Sequence, residues 1–249
     1  MLSEIKIGEL KIYPYSVLMI LGGAACLVCF LVLSLKRHKE AQDETLFACV
    51  ALVISAAAAL PAAMAADSLF KMIETGKFKF QGATFYGGLI CALIIFSIAL
   101  CLKRNKKVSV YERLCDLIPG ICFGHCLGRI GCFFGGCCFG SVTNSVFGVV
   151  FPEGSLPYEY YGGAVKVHPT QLYEAAFLAV LGIIFLAFAL KDTLPLYFIL
   201  YGAGRICIEF FRNDNRGEVG LPMSPAQLIS LILILSGAII FAVKRKKDT

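Results

Sequence analysis

The stretch from Pro14 to Leu35, with the sequence PYSVLMILGGAACLVCFLVLSL, contains no charged residue and is followed at once by Lys36 and Arg37. A helix of about 20 apolar residues is long enough to cross the hydrocarbon core of a bilayer. A cleaved signal peptide has a shorter apolar core and a basic start, whereas the residues before Pro14 carry charges of both signs. We therefore expect a membrane-spanning helix that the mature protein retains.

The composition of the whole chain indicates the same environment. Of the 249 residues, 58% are hydrophobic and only 16% are charged, whereas a soluble domain has about 25% charged residues. This balance excludes a disordered chain, a collagen-like chain and a coiled coil. The formal net charge of +6 can indicate nucleic-acid binding, but the basic residues form short clusters beside apolar runs, which is typical of topology signals. We expect a lipid bilayer as a partner and no nucleic acid.

Seven apolar runs predict an all-α integral membrane protein with seven transmembrane helices. The runs are Pro14–Leu35, Leu46–Ala66, Gly82–Leu102, Tyr111–Gly131, Pro169–Leu190, residues 194–211 and Leu221–Val243. Closely spaced cysteines and glycines interrupt the helical pattern in residues 132–168. We expect a small external head segment there, between helices four and five, within a single polytopic membrane domain of residues 1–249.

The distribution of lysine and arginine predicts the orientation of the helices. The flanks on one side of the predicted membrane hold thirteen basic residues, and those on the other side hold eight. Basic residues concentrate in cytoplasmic loops, so the more basic side, which includes residues 244–247, is assigned to the cytoplasm. With seven spans, the N-terminus is then outside, the C-terminus is cytoplasmic, and the head segment lies on the outer face.

Three of the twelve cysteines stand apart from the others. Most cysteines lie inside apolar runs, where cysteine commonly behaves as a small hydrophobic residue. Cys132, Cys137 and Cys138 instead lie close together in a polar, glycine-rich setting. Their spacing lacks a second CxxC pair or a histidine pair, so we expect no bound metal. A membrane thiol–disulfide protein that uses these three residues is one alternative function. A transporter is another, but the two halves show none of the inverted repeats expected of one.

Ionisable side chains inside membrane spans are costly and are candidates for function. Arg129 lies at the outer end of the fourth span, and Arg205 and Glu209 lie one turn apart on one face of the sixth. No acidic residue next to the arginines in the sequence neutralises them, so the two guanidiniums suit the phosphate of an anionic lipid. The alternatives are an Arg205–Glu209 ion pair that locks helices together and an Arg129 side chain that snorkels to the interface.

Two further patterns lie near these residues. Gly120, Gly124 and Gly128 recur at every fourth position, which predicts close helix packing and brings another backbone beside Arg129. The heptapeptide HPTQLYE at residues 168–174 opens the fifth span. Proline at a first helical position is an ordinary start signal, but the density of polar groups here exceeds what capping requires.

Three features together resemble the prolipoprotein diacylglyceryl transferase family. They are HPTQLYE at residues 168–174, GRIGCF at residues 128–133, and a helix face with Tyr201, Arg205, Glu209 and Arg212. The resemblance implies a multi-pass enzyme of the bacterial plasma (inner) membrane that needs no cofactor. Such an enzyme transfers the diacylglyceryl group of phosphatidylglycerol to the thiol of a lipoprotein signal-peptide cysteine. A thioether forms and glycerol phosphate leaves.

The resemblance also implies roles for individual residues. Arg129 and Arg205 would hold the phosphate and stabilise its charge during the reaction. Further substrate-binding residues would be Tyr15, Tyr201, Glu209, Arg212, His168, Gln171, Tyr173 and Glu174.

The chain departs from the family pattern at two places. The third span of the family usually carries His-Gly-Gly, and here Tyr86 precedes Gly87 and Gly88. Tyrosine, with an ordinary pKa of about 10, is a poor base, so Tyr86 would orient the lipid or relay a proton to the leaving group. Where the family has asparagine, a further asparagine and glutamate after Gly131, this chain has Cys132, Gly135 and Cys137. We expect these two cysteines to form an external disulfide in a divergent subgroup. A lipid-handling protein with a different acceptor is the alternative.

Overall fold

The computed structural model describes residues 5–7, 10–75, 85–103, 106–188, 190–212 and 223–248. The helices in this part of the chain are α1 Pro14–Arg37, α2 Gln42–Thr75, α3 Phe85–Leu102, α4 Val110–Phe134, α5 Leu156–Tyr161, α6 Thr170–Ala187, α7 Thr193–Glu209 and α8 Pro225–Asp248. The strands are β1 Ile5–Ile7, β2 Leu10–Ile12, β3 Val149–Val150 and β4 Lys166–Val167. β1 pairs with β2 and β3 with β4, both antiparallel.

Five of the described helices are long and apolar enough to cross a membrane. They are α1, Gln42–Ala66 of α2, α4, α6 and Pro225–Lys246 of α8. The apolar part of α3, Gly87–Leu102, is shorter. α7 has 17 residues and carries the ionisable pair Arg205 and Glu209. The chain is therefore a helical, multi-pass membrane protein, as its composition predicted.

Several helix ends differ from the prediction. α2 continues to Thr75, beyond the predicted end at Ala66, because its later turns are polar but contain no helix breaker. α4 continues to Phe134, so Cys132 is helical and the head segment begins later than expected. Within the head segment, α5 and the β3–β4 pair are regular elements. Two-residue strands are too short to produce an alternating pattern, so the sequence did not predict them.

The described residues form two compact units, which are residues 1–26 with 117–249, and residues 27–116. The core of the first unit is built by three helices that each contribute one apolar face. Its buried residues are Ile118, Cys122, Leu178, Leu181, Phe185, Tyr197 and Tyr201. A smaller cluster of Phe139, Phe151 and Val167 supports the head segment.

The predicted close approach at the repeated glycines is confirmed inside the first unit. A Cβ atom on Gly120 would lie 2.6 Å from the carbonyl oxygen of Cys26, and one on Gly124 would lie 2.9 Å from that of Gly22. Any side chain at these positions would collide with the backbone of α1. Glycine therefore allows α1 and α4 to pack at this distance.

The second unit is organised around a buried carboxylate. Asp116, which is 1% exposed, accepts hydrogen bonds from Ser34 Oγ at 2.9 Å and Arg37 Nη1 at 2.8 Å, and its Oδ2 lies 3.0 Å from His38 Nε2. Arg113 is also buried and donates to Thr45 Oγ1 at 2.8 Å. Asp116 therefore has its hydrogen-bond partners within the unit, whereas Nη2 of Arg113 has none among the described residues.

Candidate active site

The centre of the candidate site is Glu174, in the first turns of α6. Its side chain is 1% exposed. Its Oε1 lies 3.0 Å from Nη2 of Arg129 on α4 and accepts a hydrogen bond of 2.9 Å from the Tyr201 hydroxyl on α7. A buried carboxylate needs such partners, because leaving it unpaired would cost several kcal/mol. Glu174 thus connects three helices at one point.

His125 completes this group and was not among the predicted site residues. It lies one turn before Arg129, and its Nε2 accepts a hydrogen bond of 3.3 Å from Arg129 Nε. The same nitrogen lies 3.7 Å from Oε1 of Glu174, and the ring packs against Tyr201 at 5.5 Å. Because Nε2 accepts, we assign the neutral ring with its proton on Nδ1. The sequence could have indicated His125, because it is an ionisable residue inside a span and lies one turn before Arg129.

Arg205 and Glu209 form the ion pair that was one of the alternatives from the sequence. Arg205 Nη2 lies 2.7 Å from Glu209 Oε2, and Glu209 Oε1 accepts a hydrogen bond of 2.9 Å from Ser224 Oγ. Arg205 is 2% exposed, yet its Nε and Nη1 have no hydrogen-bond partner among the described residues. Buried donors are normally satisfied, so these two have hydrogen bonds to offer to a ligand.

The expectation that the two arginines are not neutralised is wrong. Glu174 pairs with Arg129, and Glu209 pairs with Arg205. Glu174 is also within electrostatic range of Arg205. The partners of Arg129 lie on other turns and helices, so its neutralisation could not be seen from the residues beside it in sequence. Two cations and two carboxylates therefore alternate across the site.

The rest of the heptapeptide divides between two places. His168 Nδ1 lies 3.1 Å from the Tyr173 hydroxyl, and both rings pack against Phe211. Arg212 forms a β-bridge with Gly140, and its backbone N–H donates to the Glu209 carbonyl at 3.0 Å. The contacts found for His168 and Tyr173 do not include Arg129, Glu174 or Arg205.

Gln171 and Thr170 instead hold the loop that follows α4. Gln171 Nε2 donates to the Cys137 carbonyl at 2.6 Å, and Thr170 Oγ1 donates to the Cys138 carbonyl at 2.7 Å. Gln171 is 1% exposed, and its Oε1 has no hydrogen-bond partner among the described residues. The start of α6 therefore supports both the carboxylate centre and the cysteine loop.

Cys132, Cys137 and Cys138 converge at the end of α4. Their three sulfur atoms lie within 4.8 Å of one another, and none of the three is joined in a disulfide in the structure. Hydrogen bonds with the Cys132 and Cys138 thiols, together with burial, raise the pKa of the Cys137 thiol above its ordinary value. The disulfide between Cys132 and Cys137 stays a prediction.

The two remaining predicted residues are tyrosines. Tyr15 lies at the start of α1, and a Cβ atom on Gly131 would meet its ring carbon Cδ2 at 3.2 Å. Its side chain is 44% exposed, which suits a residue that faces lipid. Tyr86 belongs to α3, but its side chain lies outside the described residues, so its role stays a prediction.

Comparison with known proteins identifies the family. A family model described as prolipoprotein diacylglyceryl transferase matches residues 3–243. The chain is similar to a phosphatidylglycerol–prolipoprotein diacylglyceryl transferase 2 of Clostridium perfringens, with 32% identity over 98% of this chain and 96% of the relative. It is also similar to a phosphatidylglycerol–prolipoprotein diacylglyceryl transferase of Clostridium tetani, with 31% identity over 95% of this chain and 94% of the relative. A relative of the same name from Dehalococcoides mccartyi is 30% identical over 98% and 93%. The chain belongs to the prolipoprotein diacylglyceryl transferase family, as its motifs predicted.

Proposed function

We propose that this protein transfers the diacylglyceryl group of phosphatidylglycerol to the thiol of a cysteine in a lipoprotein signal peptide. The observation that carries the proposal is the Arg205 guanidinium, which is buried and has two nitrogen atoms, Nε and Nη1, without hydrogen-bond partners among the described residues. A phosphate oxygen is a strong acceptor that matches the planar fork of a guanidinium. Family membership supports both substrates.

The reaction needs a thiolate and a stabilised leaving group. The acceptor thiol releases its proton to solvent, the sulfur attacks the glyceryl carbon next to the phosphate ester, and the C–O bond breaks as the C–S bond forms. Glycerol phosphate leaves with the electron pair of the broken bond. Arg129 and Arg205 would stabilise the charge on this phosphate in a setting from which water is largely excluded, which is where such interactions have most effect.

The other charged groups position the two arginines. Glu174 holds Arg129 by one nitrogen, and Glu209 holds Arg205 by one nitrogen. Each carboxylate orders its guanidinium before the substrate arrives, which lowers the entropy that binding has to remove. Tyr201, which donates to Glu174, would line the lipid site together with Tyr15, and Arg212, His168, Gln171 and Tyr173 would bind parts of the substrates farther from the reacting atoms.

Access of exported substrates requires a particular topology. We propose seven spans, formed by α1, α2, α3, α4, α6, α7 and α8, with the N-terminus outside, the C-terminus cytoplasmic and the head segment external. The basic residues in the last turn of α1 and near the end of α8 support this orientation. A reporter fused after Thr249 should be cytoplasmic, and one inserted near Gly154 should be external. A cytoplasmic reporter at Gly154 would contradict the topology.

The direct test is transfer between defined substrates. Purified protein in nanodiscs that contain phosphatidylglycerol is incubated with a synthetic peptide that carries a lipoprotein cysteine motif, and the matched control peptide has serine in place of the cysteine. Mass spectrometry should detect the diacylglyceryl thioether only on the cysteine peptide. If phosphatidylglycerol is consumed without a modified peptide, the departures at Tyr86, Cys132 and Cys137 would favour an acceptor other than a signal-peptide thiol.

A further inference from the structure

Three thiols meet where α4 ends and the head segment begins. Cys132 comes from the last turn of α4, and Cys137 and Cys138 come from the loop that turns back over that helix end. Their sulfur atoms lie within 4.8 Å of one another, and all three side chains are partly buried rather than sealed in a core. The cluster is therefore shielded by protein yet open to a ligand.

The loop is held in a conformation that brings the thiols together. Cys138 has a φ of +62°, in the left-handed region, and Gly136 has a φ of +68°. A residue other than glycine adopts this conformation at a cost of about 1 kcal/mol or more, and such strain tends to occur where function needs it. The hydrogen bonds from Gln171 and Thr170 to the carbonyls of Cys137 and Cys138 fix the loop in place.

A set of three thiols is suited to a thiophilic cation. Zinc binds thiolates at about 2.3 Å, and at tetrahedral angles such thiolates lie about 3.8 Å apart. The sulfur atoms here lie within 4.8 Å of one another, so each pair has to approach by about 1 Å or less to reach that arrangement. Three protein ligands also leave one coordination position open, which distinguishes catalytic zinc sites from structural ones.

We propose that Cys132, Cys137 and Cys138 bind one thiophilic divalent cation, for which Zn²⁺ is the natural probe, and that the open position takes the thiolate of an incoming cysteine. Binding replaces the three S–H bonds by metal–sulfur bonds and releases the protons to solvent, with no change in oxidation state. The spacing in the sequence predicted no metal. The proposed site rests instead on the fold of the loop, which brings the sulfur atoms of Cys137 and Cys138 within 4.8 Å of that of Cys132.

The position of the site relates the cation to the proposed reaction, and this part of the inference rests on the proposed function. Cys132 follows Arg129 by three residues, so both lie on one face of α4, one turn apart. A coordinated acceptor thiol is deprotonated outright and would be held at the same end of the helix as the phosphate-binding guanidinium. After the C–S bond forms, the product is a neutral thioether, which is a weaker ligand than a thiolate and leaves the metal.

The first experiment measures metal binding without any need for activity. The reduced, full-length protein in detergent is titrated with Co²⁺, which gives an intense thiolate-to-metal charge-transfer band when bound by cysteine. We expect one ion per chain, displacement of Co²⁺ by Zn²⁺, and at least a tenfold loss of affinity in Cys132→Ser, Cys137→Ser and Cys138→Ser. Cys207→Ser, at an exposed position of α7, is the matched control and should bind like the wild type.

Two results of that titration would overturn the site. One is the absence of a charge-transfer band in the reduced wild-type protein. The other is equal binding by the wild type and all three cluster variants. A Cys132–Cys137 disulfide in protein isolated without reductant, with no metal uptake after reduction, would also overturn it.

The second experiment tests the open position. The cysteine peptide is added to the Co²⁺-loaded protein, and the matched serine peptide is the control. A fourth thiolate should raise the charge-transfer intensity by about a third, since three Co–S bonds become four, and the serine peptide should leave it unchanged. An unchanged band, with diacylglyceryl transfer to the peptide intact, would overturn the thiol-binding role and leave the proposed function standing. A stronger band with no transfer would support the site and contradict the proposed function.

Discussion

Nη2 of Arg129 lies 3.0 Å from Oε1 of Glu174, in a pair whose side chains are 14% and 1% exposed. The two residues come from different helices, α4 and α6, and the Tyr201 hydroxyl on α7 donates to the same carboxylate oxygen. A phosphate that binds Arg129 would therefore meet a guanidinium that Glu174 already orients. Glu174 thus positions the Arg129 side chain and also stabilises the packing of the three helices.

Replacing Glu174 by glutamine should cost both stability and activity. The amide leaves the Arg129 charge buried without a counterion, and breaking a buried pair in this way typically costs about 3–5 kcal/mol. Thermal unfolding in detergent should show a clear fall in Tm. Tyr201→Phe is the matched control, because it removes one hydrogen bond to the same oxygen and should cost only about 1 kcal/mol. Equal unfolding of Glu174→Gln and the wild type would show that the pair is not a determinant of the fold.

Arg205→Lys tests the phosphate site while it keeps the charge. A lysine ammonium can still pair with Glu209, but it cannot also offer the N–H donors that the unpartnered Nε and Nη1 of Arg205 hold in fixed directions in the guanidinium plane. We expect diacylglyceryl transfer to fall about a hundredfold, the scale for losing one preorganised donor to a developing charge, and Arg129→Lys to behave similarly. The control is Arg245→Lys, at an exposed position near the end of α8. Near wild-type turnover in Arg205→Lys would assign that residue to helix pairing alone.

Tyr86→Phe distinguishes a proton role from packing. The substitution deletes the hydroxyl and leaves the ring, so a role in proton transfer or lipid orientation is lost while the shape is kept. We predict a tenfold to hundredfold loss of transfer, in or below the range for positioned acid–base groups, with normal membrane insertion. Full activity would assign Tyr86 to packing, and the chemistry would then rest on the arginines and the acceptor thiol.

The sequence predicted the helices better than it predicted their contacts. α1 begins at Pro14 and α3 ends at Leu102, as expected, because the length and polarity of an apolar run are set by the bilayer. Arg129 and Arg205 could be selected because a charge inside a span is costly wherever its partner lies. The pairing of Arg129 with Glu174 could not be predicted in this way. Periodicity shows which face of a helix is polar, but not which other helix that face contacts. The thiol cluster depends on the left-handed φ of Cys138, which no periodic pattern reports.

The raised pKa of Cys137 predicts slow alkylation. The thiolate is the reactive form, so a thiol that is hydrogen-bonded with two neighbouring thiols and is partly buried should react slowly at pH 8. In metal-free protein, we expect iodoacetamide to label Cys137 about tenfold more slowly than the exposed Cys101. Labelling of Cys137 should still accelerate up to pH 10, beyond the ordinary thiol pKa of about 8.5.

The matched variant for this measurement is Cys138→Ala. It removes one of the two thiol partners that raise the pKa of Cys137, so labelling of Cys137 should become faster at every pH below 10. Peptide mass spectrometry follows each cysteine separately. Labelling of Cys137 and Cys101 at the same rate would contradict the shifted pKa, and an unchanged rate in Cys138→Ala would exclude the neighbouring thiol as its cause.

Gly22 and Gly23 offer a test of how α1 positions α4, because they are adjacent in one helix and face different surroundings. A Cβ atom on Gly22 would lie 2.8 Å from the carbonyl oxygen of Gly124, whereas one on Gly23 would meet nothing within 4 Å. Alanine is the better helix former by about 1 kcal/mol at either position, so Gly23→Ala should unfold at or above the wild-type temperature. In Gly22→Ala the contact is with backbone, which cannot rotate away, and overpacking of this kind costs about 1–3 kcal/mol. We expect a lower Tm and reduced diacylglyceryl transfer, since Arg129 lies little more than one turn after Gly124. Equal behaviour of the two variants in thermal unfolding would show that α1 and α4 do not depend on contact at these glycines.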